Sequence, residues 1–271
     1  MQNSLQKWVL DAYRFIFARP QLRKFNILLF HLSLRGLGLL NYNNAKVSGE
    51  LNFINNILPK LVYTKNPILF DVGANCGTYT RFLSERFPNA HIYAFEPHPK
   101  SFSILKSTKF SNVKYYNIGL GEEKGKSMLY DREDEDGLAH ASLYKEVITE
   151  IHKQTVKSLE VNIERLDGVI AKEKIGYIDF IKIDCEGSEF SILKNARALI
   201  EKDMIGCVHF EFNEMAVISR YFLRDFRKLL PRHSFYRILP YGLLELDHLP
   251  IVLTELFAYQ NILAIPINKH E

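Results

Sequence analysis

Residues 68–80, Ile-Leu-Phe-Asp-Val-Gly-Ala-Asn-Cys-Gly-Thr-Tyr-Thr, constrain the fold more than any other stretch of the chain. Ile68, Leu69, Phe70 and Val72 follow Pro67 in an apolar run too short for a helix, so they read as a buried strand. Gly73 and Gly77 come next, and from Thr80 the pattern turns helical. Strand, glycine loop and helix make the βα turn of a nucleotide-binding α/β domain, in which the backbone must turn tightly and lie against a ligand. The spacing D-x-G-x-N-x-G departs from the dinucleotide G-x-G-x-x-G and lacks the Lys-Ser/Thr of a triphosphate-binding loop.

A second strand strengthens the reading. His91-Ile-Tyr-Ala-Phe-Glu96 alternates apolar residues and ends on an acid that Pro97 turns out of the sheet. An acid at the C-terminal end of the strand after the glycine loop is placed to accept the ribose hydroxyls of a nucleoside. With no phosphate-gripping signature, S-adenosylmethionine (SAM) fits such a site better than NAD.

The 271 residues suit one α/β domain with an N-terminal addition, and 47% hydrophobic content is globular. A net charge of +4 with no basic run longer than two does not point to nucleic acid. Cys76, Cys185 and Cys207 form no C-x-x-C pair and are expected as reduced thiols. No signal peptide or bilayer-spanning run is expected, which suggests a cytoplasmic protein.

Residues 1–47 read as a helical extension and 48–271 as the main domain. Leu5, Trp8, Val9, Ala12, Tyr13 and Ile16 recur at helical spacing, with Lys7, Arg14, Arg19, Arg23 and Lys24 interleaved. Three readings stand for residues 1–45: a cap packed on the sheet, an amphipathic contact with the inner face of an anionic membrane, or a dimer contact. None of the cofactor motifs lies there, so the segment is expected to be dispensable for SAM binding. Residues 48–63 read as a helix with Ser48 as N-cap.

After Glu96 a helix runs to about Lys106, and 112–121 form a third strand and its loop, placing Asn117 and Ile118 within reach of an adenine. Residues 126–160 break the βα rhythm and read as an inserted hairpin, with an acidic loop at 131–137. Ile178-Asp-Phe-Ile-Lys-Ile-Asp184-Cys-Glu186-Gly-Ser-Glu189 is a buried strand ending in acids. The dipole of the following helix accounts for acids at its start, but not for Asp184, which belongs to the strand end. As the fourth strand of a doubly wound sheet, it opens on the ligand crevice. The fifth, 206–213, puts His209, Glu211 and Asn213 on one side; a helix at 220–230 and strands at 235–239 and 257–265 complete seven.

D-V-G-A-N-C-G-T-Y-T, then A-F-E-P-H-P, then I-K-I-D-C-E-G-S-E together resemble the FkbM family of SAM-dependent methyltransferases, over roughly residues 48–215. The resemblance implies a seven-stranded class I methyltransferase fold, Rossmann-like and doubly wound, and methyl transfer to oxygen, often a sugar hydroxyl of a polysaccharide, glycolipid or other glycosylated product. It implies that Asp71, Gly73, Asn75 and Gly77, with Thr78 after them, line the methionine part of SAM. Glu96 would hold the ribose, and Asp184 with Glu186 would face the methyl.

A sugar hydroxyl is a poor nucleophile, so a base or a metal should help remove its proton. Asp184 is the first candidate base, with Glu186 and Glu211 behind it. Asp184, Glu211 and Asn213 on adjacent strand ends are also hard oxygen ligands suited to magnesium, a layout similar to catechol O-methyltransferases. His209 reads as a core histidine with its ring satisfied, or as a catalytic group. Rival functions are a non-catalytic SAM- or nucleotide-binding module and a dehydrogenase. Acids at the switch point favour an enzyme.

Overall fold

A computed structural model describes residues 4–133 and 141–267, so most of the acidic loop expected at 131–137 lies outside the described residues. The strands in chain order are β1 (Ile68–Val72), β2 (His91–Phe95), β3 (Val113–Tyr116), β4 (Gly119–Leu120), β5 (Gly125–Arg132), β6 (Val156–Glu164), β7 (Ile178–Ile183), β8 (Ile205–Phe212), β9 (His233–Leu239), β10 (Gly242–Glu245) and β11 (Gln260–Pro266). Eight of them form the main sheet, in the order β10-β9-β11-β8-β7-β1-β2-β3. Strands β3, β2, β1, β7 and β8 are parallel, and β11 runs antiparallel to both β8 and β9.

This is the doubly wound class I arrangement, with one strand more than the seven expected. The turn at Tyr241 folds the chain back so that Gly242 pairs with Leu239, adding β10 at the edge. The order reverses at β1, between β2 and β7, so the C-terminal ends of β1, β2 and β7 open on one crevice. The β1 and β7 strands are buried on both sides, as parallel strands covered on two faces must be. One core, around Phe70, Ile181 and Phe210, fills one face, and Phe53, Leu69 and Phe180 anchor the other.

The inserted hairpin is real: β5 and β6 pair antiparallel, and β4 adds to β6 as a third strand of a small separate sheet. The helix expected over 48–63 forms but changes pitch, α-helical at Glu50–Asn52, a π turn at Phe53–Ile57 and 3-10 at Leu58–Lys60. Pro59 has no N–H to give the Asn55 carbonyl, which instead accepts from Arg86 Nε at 3.2 Å. The N-cap is Gly49, in a left-handed conformation, and not the expected Ser48, which sits one residue earlier with its Oγ accepting the Glu50 N–H at 3.4 Å.

Helices α1 (Ser4–Phe17) and α2 (Arg23–Gly36) precede the domain. They do not form the cap that periodicity suggests, since Leu34 is the one buried side chain of α2. Residues 37–49 behave differently. Leu39 is fully buried, Leu40 N–H donates to the Tyr259 carbonyl at 2.8 Å, and Arg237 Nη1 donates to the Leu37 carbonyl at 3.1 Å. Gly49 has φ +90° and lies so close to β9 that a Cβ would sit 2.4 Å from the Leu239 carbonyl oxygen. The chain therefore joins the sheet domain just after Gly36, ahead of the expected boundary at 47. Among the described residues, no helix is long and apolar enough to cross a membrane.

Candidate active site

The crevice holds a cavity of about 620 Å3, within the range of small-molecule sites. Gly73, Asn75, Glu96, Asp184, Glu186 and Glu211 all line it. Five other expected residues stand behind the wall rather than on it: Asp71, Gly77, Thr78, Asn117 and Ile118.

The glycine loop is shaped by β7. Gly73 has φ +82°, and a Cβ there would lie 1.8 Å from the Asp184 carbonyl oxygen, so glycine alone lets the two strand ends meet. Asn75 also has positive φ, +46°. Its N–H donates to Glu96 Oε2 at 2.8 Å, and the His98 N–H donates to Glu96 Oε1 at 2.7 Å. Glu96 thus closes the loop as well as facing the cavity. Burial pushes its pKa up to about 7, against the lowering effect of these two N–H groups.

The residues behind the wall have structural partners. Asp71 is fully buried and accepts from Thr80 Oγ1 at 2.5 Å; burial raises its pKa, with Lys182 opposing. Gly77 caps the helix Thr78–Arg86 in a left-handed conformation. Asn117 Nδ2 donates to the carbonyls of Glu96 and Pro97, which fixes the end of β2, and Ile118 packs against the core. Their neighbours Gly119 and Leu120 reach the cavity instead.

The acids at the end of β7 divide. Glu189 turns inward, accepting from the N–H groups of Cys185 and Gly187, and burial lifts its pKa to about 7. Glu186, in a left-handed conformation, faces the cavity, while its carbonyl accepts from Ser142 Oγ at 2.7 Å and so ties the inserted sheet to the loop. Asp184 Oδ2 lies 3.0 Å from Lys182 Nζ. Glu211 accepts from Asn213 Nδ2 at 2.8 Å. Removal from water, then the charges of Asp184 and Glu186, push the Glu211 pKa well above the ordinary carboxylate range.

His209 is the satisfied core histidine of the two readings. It is fully buried between Tyr79 OH at 3.0 Å and Asn261 Oδ1 at 2.9 Å, and burial holds its pKa down at about 4.

Among the cavity-facing groups that escaped the sequence reading are Lys182, Glu50 and Tyr259. Lys182 is buried, with its ammonium 3.4 Å from Glu50 Oε1 and 4.2 Å from the centre of the Tyr79 ring. Its spacing, two before Asp184 in a strand, puts both on one face and was the available signal. Glu50 and Tyr259 arrive from distant segments, and no local pattern announces them. Burial opposes the charge on Lys182, but Asp184, Glu50 and Asp71 outweigh it and raise its pKa well above the usual value.

The donor set does not fit the magnesium layout. An ammonium, rather than open space, lies against Asp184, and Asn213 turns its amide toward Glu211. Among the described residues no three His, Cys, Asp or Glu side chains are disposed around a common metal position. The cavity does fit a nucleoside sulfonium. It joins the Glu96 carboxylate, an apolar stretch at Leu120, Leu129 and Ile163, and an acidic end.

A sequence model of the FkbM methyltransferase domain matches residues 71–236, well over half of the chain. The chain is 27% identical over 155 residues to methyltransferase sdnD of Sordaria araneosa, covering 48% of this chain and 60% of that protein. It is 26% identical over 159 residues to the 31-O-demethyl-FK506 methyltransferase FkbM of Streptomyces tacrolimicus, covering 46% and 58%. It is 20% identical over 194 residues to the 2-O-methyltransferase NoeI of Sinorhizobium fredii (strain NBRC 101917 / NGR234), covering 67% and 78%. The chain thus spans about three fifths of the length of the first two relatives.

Proposed function

Because the chain belongs to the FkbM methyltransferase family, we propose that it is a SAM-dependent O-methyltransferase whose acceptor is a sugar hydroxyl of a polysaccharide, glycolipid or other glycosylated product. The observation that carries the reading is the meeting of the Gly73 loop and Asp184 at the mouth of a cavity that also holds Glu96. When bound, SAM supplies an electrophilic methyl on a sulfonium centre. Glu96 accepts the ribose hydroxyls with the oxygen lone pairs its two backbone partners leave over.

The acceptor end of the cavity is formed by Asp184, Glu186, Glu211 and Glu214, with Tyr42 and Tyr259 beside them. Tyr42 and Tyr259 meet edge to face at 5.8 Å. Carboxylates accept from hydroxyls and repel phosphate, and aromatic faces cover the apolar face of a sugar ring. This favours a hydroxyl-rich, non-anionic acceptor. Asp184, ion-paired with Lys182, would take the proton of the acceptor hydroxyl, whose oxygen would gain the methyl as the methyl–sulfur bond breaks and the neutral thioether leaves. Names of two relatives specify transfer to oxygen, which agrees with that chemistry. The family gives no support to the dehydrogenase alternative.

The test is methyl transfer from radiolabelled SAM to carbohydrate-containing acceptors, compared between wild type and Asp184→Asn. Label in sugar O-methyl groups, lost in the variant, supports the reading. Label in protein or nucleic acid, or none with any glycosylated fraction, overturns it.

A further inference from the structure

The two N-terminal helices leave an apolar surface that the sheet domain does not cover. Leu5, Trp8, Phe15, Leu28, Phe30 and Leu32 are each between 55% and 79% exposed. In α1, Leu5, Trp8, Val9, Ala12 and Ile16 recur at helical spacing and share one side, while Lys7, Asp11 and Arg14 occupy the other. Apolar patches of this kind on a folded chain mark an interaction surface.

Charge decides what covers it. Within α1, α2 and the turn between them, Lys7, Arg14, Arg19, Arg23, Lys24 and Arg35 stand against the single acid Asp11. That excess is larger than the +4 of the whole chain, so the remainder is net acidic. Near the junction of the helices, where Phe17 stacks on Phe25, lies a recess of about 700 Å3. Arg19, Arg23 and Lys24 line it together with Ile27 and Phe30. Basic side chains beside apolar ones match an anionic headgroup above its acyl chains. A second copy of the same helices would instead bring like charge against like charge. Neither helix is long and apolar enough to span a bilayer, so the geometry suits lying in the interface.

We propose that residues 4–36 are a membrane-docking element that seats α1 and α2 in the surface of an anionic phospholipid bilayer. Trp8 and Phe15 enter the headgroup boundary, and Arg19, Arg23 and Lys24 hold anionic headgroups. Leu40 and Tyr42 of the cavity wall follow α2 within a few residues, so docking brings the acceptor end of the cavity near the bilayer.

The experiment is co-sedimentation of the full chain with phosphatidylcholine vesicles and with vesicles that also contain phosphatidylglycerol, at low and high salt. SAM binding is followed in parallel as the check on folding. The expected result is partitioning onto the anionic vesicles that weakens with salt. It should fall by about tenfold or more in Trp8→Glu/Phe15→Glu and in Arg19→Glu/Arg23→Glu/Lys24→Glu, with SAM affinity unchanged. Wild type left in the supernatant with anionic vesicles overturns the proposal, as does equal binding to neutral vesicles. A soluble dimer that Trp8→Glu/Phe15→Glu dissociates, with no vesicle binding, also overturns it and assigns the face to a second copy.

Discussion

Lys182 Nζ lies 3.0 Å from Asp184 Oδ2 and 3.4 Å from Glu50 Oε1, so one buried ammonium is shared by a strand-end acid and an acid at the start of the helical stretch that precedes β1. Register explains the place. Lys182 pairs across the sheet with Asp71 on β1 and His209 on β8, so its side chain shares a face with a row of buried polar groups just below the cavity. The ammonium balances acids that would otherwise repel one another at the acidic end of the cavity.

The first prediction follows from that pairing. Lys182→Met leaves Asp184, Glu50 and Asp71 without their cation and should cost about 3–5 kcal/mol, as breaking a buried pair does. Urea unfolding measures it. The pH sign is that of a raised lysine: the contribution is fully present below the ordinary lysine pKa and is lost as pH rises through the elevated one. Wild type should therefore lose its margin over the variant only in strong alkali. A variant of unchanged stability at neutral pH would show that the ammonium is idle.

Glu96 gives a prediction near neutrality. Its pKa of about 7 means the folded chain holds a proton between the ordinary carboxylate value and about 7 that the unfolded chain has lost. Stability should fall as pH rises across that window. SAM affinity should move the other way, because ribose hydroxyls need an ionised acceptor. Calorimetry at about pH 6 and about pH 8 should show tighter binding at the higher value. Glu96→Ala should cost about 1.5–3 kcal/mol of binding and erase the pH dependence. Equal affinity for the variant would remove Glu96 from the ribose.

The strand-loop-helix signal at 68–80, the strand ending at Glu96 and the acids after β7 were legible because each is a local pattern. The parallel strands announced themselves as continuous apolar runs, and the insertion as a break in rhythm. What stayed hidden depends on distance in sequence. Glu50 reaches Lys182 only because its segment packs back on the sheet, Gly49 against Leu239 of β9 and Phe53 against Phe180 of β7 and His209 of β8, and Tyr259 meets Tyr42 only because β11 inserts between β8 and β9. Part of the motif loop stands away from the cavity wall. Asp71, Gly77 and Thr78 belong to it in sequence, yet alternation in β1 turns Asp71 to Thr80, and Gly77 is used to start a helix. The β10 edge strand was missed because its short hairpin reads as a turn.

Truncation separates the two parts of the N-terminal region. A chain starting after Gly36 should fold and bind SAM as the full chain does. One starting at Ser48 should lose stability and SAM affinity together. It lacks Leu39 from the core, the Leu37 carbonyl that holds Arg237, and the Leu40 and Tyr42 part of the cavity wall. Arg237 is fully buried, and without that carbonyl one of its N–H donors is stranded, a cost of about 1–3 kcal/mol. Thermal unfolding and calorimetry on both chains give the answer, and equal behaviour would place residues 37–47 outside the functional domain.

The last prediction distinguishes the candidate bases. Asp184 is ion-paired and faces the cavity, whereas burial and the charges of Asp184 and Glu186 push the Glu211 pKa well above the ordinary carboxylate range. A raised pKa disfavours the ionised form that would accept the acceptor's proton, so Glu211→Gln should change methyl transfer little. Asp184→Asn should leave SAM affinity nearly intact and lower transfer by about a hundred- to ten-thousand-fold, the loss typical of a missing general base. Because an ammonium rather than a metal position neighbours Asp184, wild-type activity should be indifferent to EDTA. The pH–rate profile supplies an independent reading. With Glu211 as base, the rising limb shifts toward alkaline pH, because its pKa is raised by burial and by neighbouring acids, and Glu211→Gln becomes the damaging variant. If Asp184→Asn retains most of its activity, the residue serves only to shape the turn against Gly73, and the proton must leave by another route.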